Sequence, residues 1–164
     1  YMAKRSLNWT NTDGLVVGFG TRGVETTYSA KVPEKGVEEK IVMRIYGPDL
    51  ADSVVAGQLV HAPVIPAGAF IKSAYLQVDT AFVGASAVLD IGVYKAVDNA
   101  AVADDGIDAA IATATLIADY DVACDGSLVG TELAFASKLA ASYDTAAFTD
   151  GKATLIVTYV NPQA

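Results

Sequence analysis

The sequence is poor in the side chains that most often carry enzyme chemistry. Its 164 residues include one cysteine, one histidine and one tryptophan. Because Cys124 is the only cysteine, it cannot form an internal disulfide, and the fold must be stable without one. One histidine and one cysteine also cannot supply the three or four nitrogen and sulfur ligands of the usual zinc site. A disulfide framework and a zinc centre are therefore excluded.

Positive charge and long apolar runs are scarce as well. The chain carries 11 Lys and Arg against 19 Asp and Glu, a formal net charge of −8 at pH 7. Nucleic acid and anionic lipid attract clustered cations, so we expect neither as a partner. The longest apolar stretch, Ala109 to Ala118, falls short of the roughly 18 residues that a membrane-spanning helix needs. The first residues lack the apolar segment of a secretory signal, and none is expected.

Short runs of alternating polarity are what the chain has in quantity. An alternation with period two places one face of a strand in the core and the other in solvent. The clearest runs are 73–82, 89–93 and 153–159, and further strands are predicted over Leu15–Phe19 and Ile41–Tyr46. Because only a short Gly-containing turn separates 73–82 from 89–93, we interpret these two segments as neighbouring antiparallel strands.

A single short helix is predicted, between two strands. Asp104 and Asp105 can cap a helical turn. The apolar residues that follow at helical spacing are Ile107, Ala110, Ile111 and Ala114. We expect about two turns of helix in this connection.

Many strands, turn residues between them and little helix predict an all-β fold. We expect an antiparallel two-sheet sandwich, with a jelly roll as the first choice among sandwiches. Residues 1–13 are mostly polar and end in a turn signal, which indicates an N-terminal arm. Residues 14–164 are then a single β-sandwich domain, a usual size for one domain.

One glycine motif matches a signature of dinucleotide-binding folds. Residues 18–23 match G-x-G-x-x-G after an apolar segment. In a dinucleotide-binding fold a helix must follow these glycines. Residues 24–33 are instead rich in β-branched and polar side chains and end in Pro33. We interpret the glycines as turn or bulge residues and predict no cofactor.

The remaining candidates for chemistry are few. His61 and Cys124 are the only nucleophile–base pair of their kind, and the neighbouring Asp125 should raise the pKa of the thiol. We therefore predict that the chain is not an enzyme. A carboxylate-based glycan hydrolase is the enzymatic alternative, since its two acids need only be close in space. A glycan-binding module of a fibre or tail is another alternative, with Tyr75 and Tyr94 as candidate stacking rings.

A calcium site is left open by the sequence. Four acids fall in one connection, and hard cations prefer carboxylate oxygens. They are Asp98, Asp104, Asp105 and Asp108. Their spacing is not that of an EF-hand, and solvated loop acids with a helix cap explain them equally.

Several segments resemble proteins of tailed double-stranded DNA bacteriophages. Residues 9–22, 64–70, 78–82, 88–93 and 148–159 are similar to segments of their capsid-associated proteins. The resemblance implies a capsid decoration, or cement, protein that binds the outside of the virion shell and reinforces it. It further implies the major capsid protein as partner and a homo-oligomer, a trimer. It transfers no catalytic residue, and it fits another virion β-sandwich equally well.

In such a protein the N-terminal arm would bind neighbouring subunits. Ordering an arm on binding lets a small domain cover a large surface. We expect Trp9 to be an anchor on the partner and Lys4 and Arg5 to face acidic capsid surface. A frayed terminus without a role is the alternative.

Overall fold

The computed structural model describes residues 8–10, 16–18 and 38–160. The chain divides into two units, residues 1–37 with 163–164, and residues 38–162. In the first unit, β1 (Asn8–Thr10) and β2 (Val16–Gly18) form an antiparallel pair. Strand β2 lies within the strand predicted over Leu15–Phe19. The predicted division after residue 13 falls between β1 and β2 and stays a prediction.

The second unit is built from eight strands with short connections. They are β3 (Glu38–Tyr46), β4 (Val64–Ile65), β5 (Phe70–Val83), β6 (Val88–Lys95), β7 (Ala101–Ala112), β8 (Tyr120–Cys124), β9 (Ser137–Asp144) and β10 (Asp150–Val160). A short helix, α1 (Ala56–Val60), lies between β3 and β4. Two 3-10 turns, Gly47–Asp49 and Thr113–Thr115, follow β3 and β7.

The strand order is that of a jelly roll, as predicted. Sheet one has the order β3-β10-β5-β8 and sheet two the order β4-β9-β6-β7. All neighbours are antiparallel. The first strand thus pairs with the last, the second with the second last, and so on to β6 and β7. A long hairpin rolled into two sheets in this way is the jelly-roll arrangement.

The core lies between the two sheets and is filled by alternate residues of the strands. Leu155 and Val157 of β10 and Leu76 of β5 are completely buried, and so are Leu89 and Ile91 of β6. Burying such a side chain stabilises the fold by roughly 1.5–3 kcal/mol. The residues that the alternation assigned to the core are buried in β5, β6 and β10. Four residues at the alternate positions are buried as well, Gly92 and Tyr94 of β6 and Thr154 and Thr158 of β10.

The helix predicted after Asp104 is wrong, because residues 101–112 form strand β7. The pairing of β7 with β6 is interrupted by bulges. Ile91 pairs with Asp108 and Val93 with Ala103, so two steps on β6 correspond to five on β7. Ile107 and Ile111 both lie in the core, because residues four apart share one face of a strand as they do of a helix. β-branched side chains also favour the strand.

The predicted pairing of residues 73–82 with 89–93 is also wrong. Both segments are strands, but β5 belongs to sheet one and β6 to sheet two. The connection between them crosses from one sheet to the other. Two strands that share a core show the same alternation whether they lie side by side or face to face. The alternation therefore could not distinguish the two arrangements.

Candidate protein-binding surfaces

The structure does not bring His61 and Cys124 together. His61 is exposed at the C-terminal end of α1, where it lines a groove beside β3. Cys124 is buried on β8, and its electrostatic partners are Asp108, Asp125 and the backbone of Leu76. Burial raises the pKa of the Cys124 thiol to about 12, and the two carboxylates add to the shift. The effect expected of Asp125 is confirmed, and the thiol is not activated.

The four acids considered for calcium do not form a metal site either. Within the ranges that the structure describes, no three His, Cys, Asp or Glu side chains are placed to hold a metal ion. Asp98 accepts a hydrogen bond from the N–H of Ala100 (3.0 Å), and Asp108 accepts one from the N–H of Ala109 (2.8 Å). Both carboxylates therefore bind backbone groups close to them in the chain, Asp98 in a turn and Asp108 within β7.

Asp104 and Asp105 belong instead to an acidic depression of about 410 Å³ beside sheet two. Its other carboxylates come from Asp52, Asp90 and Asp144. Tyr94 lies in its wall and is only 8% exposed. Burial, Asp104 and Asp90 together raise the pKa of its hydroxyl. Because its ring is covered, Tyr94 does not offer the open stacking surface expected of a sugar-binding tyrosine.

An apolar row crosses the outer face of sheet one. The register places Val42 of β3, Ile156 of β10, Tyr75 of β5 and Ala123 of β8 side by side. Val42 is 59% exposed and Tyr75 is 49% exposed. Their sequence neighbours fill the core, so the alternation of each strand directs these four side chains outwards. We call these four residues the apolar row.

Cations flank the apolar row on the same face. Arg44 Nη1 lies 3.2 Å from Asp79 Oδ2, and Lys72 pairs with Glu38. Lys152 Nζ lies 5.9 Å from the ring centroid of Tyr46. With Lys40, this face holds four of the six Lys and Arg residues found in residues 38–160. Exposed ion pairs are worth about 0–1 kcal/mol, so a partner could replace them at little cost.

A second apolar surface lies at the end of the sandwich where β6 ends and β9 begins. Val97 is 91% exposed and Phe135 is 48% exposed. With Ala67, Ala96, Ala134 and Ala136 they line a depression of about 480 Å³. Lys95 Nζ lies 4.3 Å from the centroid of the Phe135 ring. We call Lys95 and these six residues the end patch.

Of the three binding residues predicted from the sequence, only Trp9 falls within the residues that the structure describes. Lys4 and Arg5 lie outside the described residues. Trp9 lies on β1, opposite Val17. The sequence reasoning missed the apolar row, although a signal was present. Val42 and Ile156 occupy positions of their strands where the alternation calls for a polar side chain.

Comparisons with known proteins add a fold likeness only. No protein-family model matches the sequence, and no curated protein matches it significantly. A chain in the cyanophage Pam1 capsid asymmetric unit is 16% identical, with a TM-score of 0.49, and 78% of this chain covers 87% of that one. A chain in the capsid of Ralstonia phage GP4 is 19% identical, with a TM-score of 0.44. The match covers 77% of this chain and 86% of that one. A chain in the acid-stable capsid of Helicobacter pylori bacteriophage KHP30 is 13% identical, with a TM-score of 0.47. The match covers 76% of this chain and 94% of that one.

At such identities and TM-scores no residue role and no partner can be transferred to this chain. The surfaces themselves must carry any argument about function. In the part of the chain that the structure describes, no helix is long and apolar enough to cross a membrane.

Proposed function

We propose that this chain is a structural protein of a bacteriophage head, a decoration protein that binds the outer capsid surface and stabilises the shell. Its partner is the major capsid protein, and it acts as a homo-oligomer. The resemblance of residues 9–22, 64–70 and 148–159 to capsid-associated phage proteins suggests the partner. The observation that carries the proposal is the exposed apolar row, flanked by cations, on the outer face of sheet one.

The shape and composition of this face suit a protein partner. Small-molecule sites are concave, whereas the outer face of a sheet is broad and open. In an antiparallel sheet the solvent-facing side is normally polar. Here the exposed apolar row occupies the middle of the face, with Arg44 beside it. Tyr and Arg are enriched among the residues that dominate protein–protein binding energy, which supports Tyr75 and Arg44 as contact residues.

The charges on this face favour an acidic partner surface. Residues 38–160 contain 16 Asp and Glu but only six Lys and Arg. The face gathers four of those six beside three carboxylates, Glu38, Asp79 and Asp121, so it is far less acidic than the domain as a whole. Complementary charge directs association and fixes orientation more than it adds affinity. An acidic shell surface would therefore attract this face and repel the acidic depression beside sheet two.

The arm of residues 1–13 belongs to the same proposal. Trp9 would anchor on the shell, and Lys4 and Arg5 would add two further cations to the contact. A contact made by a domain face and an arm together covers more of the shell than either alone.

The first test is binding to heads of the phage that encodes the chain, prepared from a mutant that lacks its gene. We expect the purified protein to co-sediment with these heads at a fixed stoichiometry. Val42→Asp and Tyr75→Ser should each weaken binding at least tenfold, since an interface tyrosine contributes about 2 kcal/mol and 1.4 kcal/mol is a factor of ten.

Val55→Asp is the matched control. Val55 is 50% exposed, but it precedes α1 and belongs to neither sheet. An Asp at this N-cap position favours the helix, so the variant should fold and bind like the wild type. Heads that never retain the wild-type protein would refute the proposed function. Heads that retain all three variants equally would refute only the assigned face.

A further inference from the structure

We infer that the end patch is a contact between copies of this chain, an assignment whose role on a particle rests on the proposed function. The occupant of the depression is the Val97 side chain of a second copy. Val97 has the largest exposed fraction of any large apolar side chain among the described residues. An exposed apolar surface of this kind commonly marks a protein interaction site.

The composition of the end patch differs from that of ordinary loop tips. Loops at the ends of a sandwich usually expose polar turn residues. The three loop segments here present alanines, Val97 and Phe135. Although residues 38–160 hold 16 carboxylates, none of those described lines this depression. Its single charge, on Lys95, lies over the Phe135 ring, where a cation–π contact holds it.

The shape of the patch is self-complementary. It carries a projecting side chain, Val97, and a depression of about 480 Å³ directly beside it. A second copy, related by rotation, can insert its own Val97 into this depression and accept the first copy's Val97 in return. Symmetric contacts require this matching of projection and cavity on one molecule.

Electrostatics favour self-association at this surface over the others. A chain of net charge −8 repels its own copies. The acidic depression would place five carboxylates opposite a second set. The sheet-one face and the acidic depression of sheet two are different surfaces, so joining them would be a head-to-tail contact, which builds a ring or a filament and not a reciprocal pair. The end patch carries neither obstacle.

One charge pair completes the match. Asp98 follows Val97 in the chain, so an inserted Val97 brings its neighbouring carboxylate close to Lys95 of the other copy. One oxygen of Asp98 accepts the N–H of Ala100, and the second oxygen can accept a hydrogen bond from that ammonium. A pair at the edge of an apolar contact fixes its orientation.

The patch is held in shape before any contact forms. The N–H of Ala96 donates to the carbonyl of Ala136 (2.8 Å), and the N–H of Lys95 donates to that of Ala100 (2.8 Å). The N–H of Gly68 donates to the carbonyl of Leu133 (2.6 Å). Loops that are already ordered lose little entropy on association.

The test is sedimentation velocity on the purified full chain over a hundredfold range of concentration at physiological salt. The wild type should form a dimer, because a reciprocal contact relates two copies by a two-fold axis; this differs from the trimer that the resemblance implies. Val97→Asp and Phe135→Ser should each raise its dissociation constant at least tenfold, and Val55→Asp should leave it unchanged. Lys95→Glu and Asp98→Lys should each weaken the oligomer, and the double variant should restore it.

Rescue by the double variant would identify the pair across the contact, which a general loss of stability could not do. A wild type that is monomeric at every concentration would overturn the inference, as would an oligomer that survives Val97→Asp. Neither result would touch the proposed function, because head binding is measured separately. Conversely, an oligomer that depends on Val97 but never binds heads would refute the function and leave this contact standing.

Discussion

Asp108 of β7 is a buried acid that bonds to a side chain of β8, a strand of the other sheet. It is 6% exposed, and it accepts a hydrogen bond from the thiol of Cys124. Asp125 is next to Cys124 in the sequence, so its effect on the thiol could be predicted. Asp108 lies 16 residues away, on a strand of the other sheet. Its contact depends on the bulges of β7, which no local pattern reveals.

Asp108 should make stability depend on pH. Burial raises its pKa above the ordinary value of 3.8, and Asp125 and Asp90 add to this while the N–H of Ala109 and the Cys124 thiol oppose it. The folded state thus binds the Asp108 proton more tightly than the unfolded state does. The stability gained from this protonation is complete below the unfolded pKa and is lost as pH rises through the folded pKa. An asparagine amide at this position cannot titrate. Relative to wild type, Asp108→Asn should therefore gain stability between pH 4 and 7, by on the order of 1 kcal/mol.

Urea unfolding at pH 4, 5.5 and 7 measures this difference. The control is Asp121→Asn, an exposed change on β8, the next strand in the chain. The difference between its free energy of unfolding and that of the wild type should stay nearly constant across these pH values. Parallel stability profiles for wild type and Asp108→Asn would show that the buried carboxyl does not influence folding in this range.

At the level of the elements, the sequence predicted strands well and their partners poorly. Strands β5, β6 and β10 alternate in sequence because every second side chain of each enters the core between the sheets. Strand β4 has only two residues, too few for any period. Strand β7 was taken for a helix because residues four apart share a face in a helix and in a strand alike. Its bulges lie where the chain passes closely over Gly92 of β6, a contact distant in sequence.

Gly92 should be essential for this close approach. A Cβ at this position would lie 2.3 Å from the carbonyl oxygen of Asp104, a backbone atom that cannot rotate away. Gly92→Ala should therefore lower the free energy of unfolding by about 1–3 kcal/mol, the usual cost of overpacking. Gly57→Ala is the matched control, since nothing lies within 4 Å of its Cβ and it occupies helix α1. It should raise stability by roughly 0.5–1 kcal/mol.

Denaturant unfolding of the two variants at one pH gives both values. The signs should be opposite. If Gly92→Ala were as stable as wild type, the tight bulge of β7 over β6 could not be an essential part of the fold.

For the whole molecule, the sequence predicted an acidic β-sandwich but not the distribution of charge on it. The cations of the sheet-one face are separated by up to 112 residues in the chain, from Lys40 to Lys152. They meet only because β3 and β10, the first and last strands of the jelly roll, are neighbours. The binding residues predicted from the sequence, Lys4, Arg5 and Trp9, lie close together along the chain. Sequence patterns reveal clusters of this local kind, whereas clusters formed by distant strands appear only in the folded structure.

The arm and the face can be separated by removing residues 1–13. All eight jelly-roll strands and the core come from residues 38–160, so we expect the shortened chain to keep the thermal unfolding transition of the full chain. Its binding to heads should fall by more than about 30-fold, because the arm's anchor and both of its cations are lost. Trp9→Ala alone should account for about 2 kcal/mol of this, roughly a 30-fold loss. The control removes only residues 1–3, which leaves Lys4, Arg5 and Trp9 in place.

Salt distinguishes the two contributions in the same co-sedimentation assay. Lys4→Ala with Arg5→Ala should bind more weakly at low salt and nearly like wild type at high salt, since salt screens exposed charges. The loss caused by Trp9→Ala should persist at both, because an apolar anchor is not screened. If the chain without residues 1–13 bound heads as tightly as the full chain, the arm would be a terminus without a role, and the sheet-one face would have to supply the whole contact.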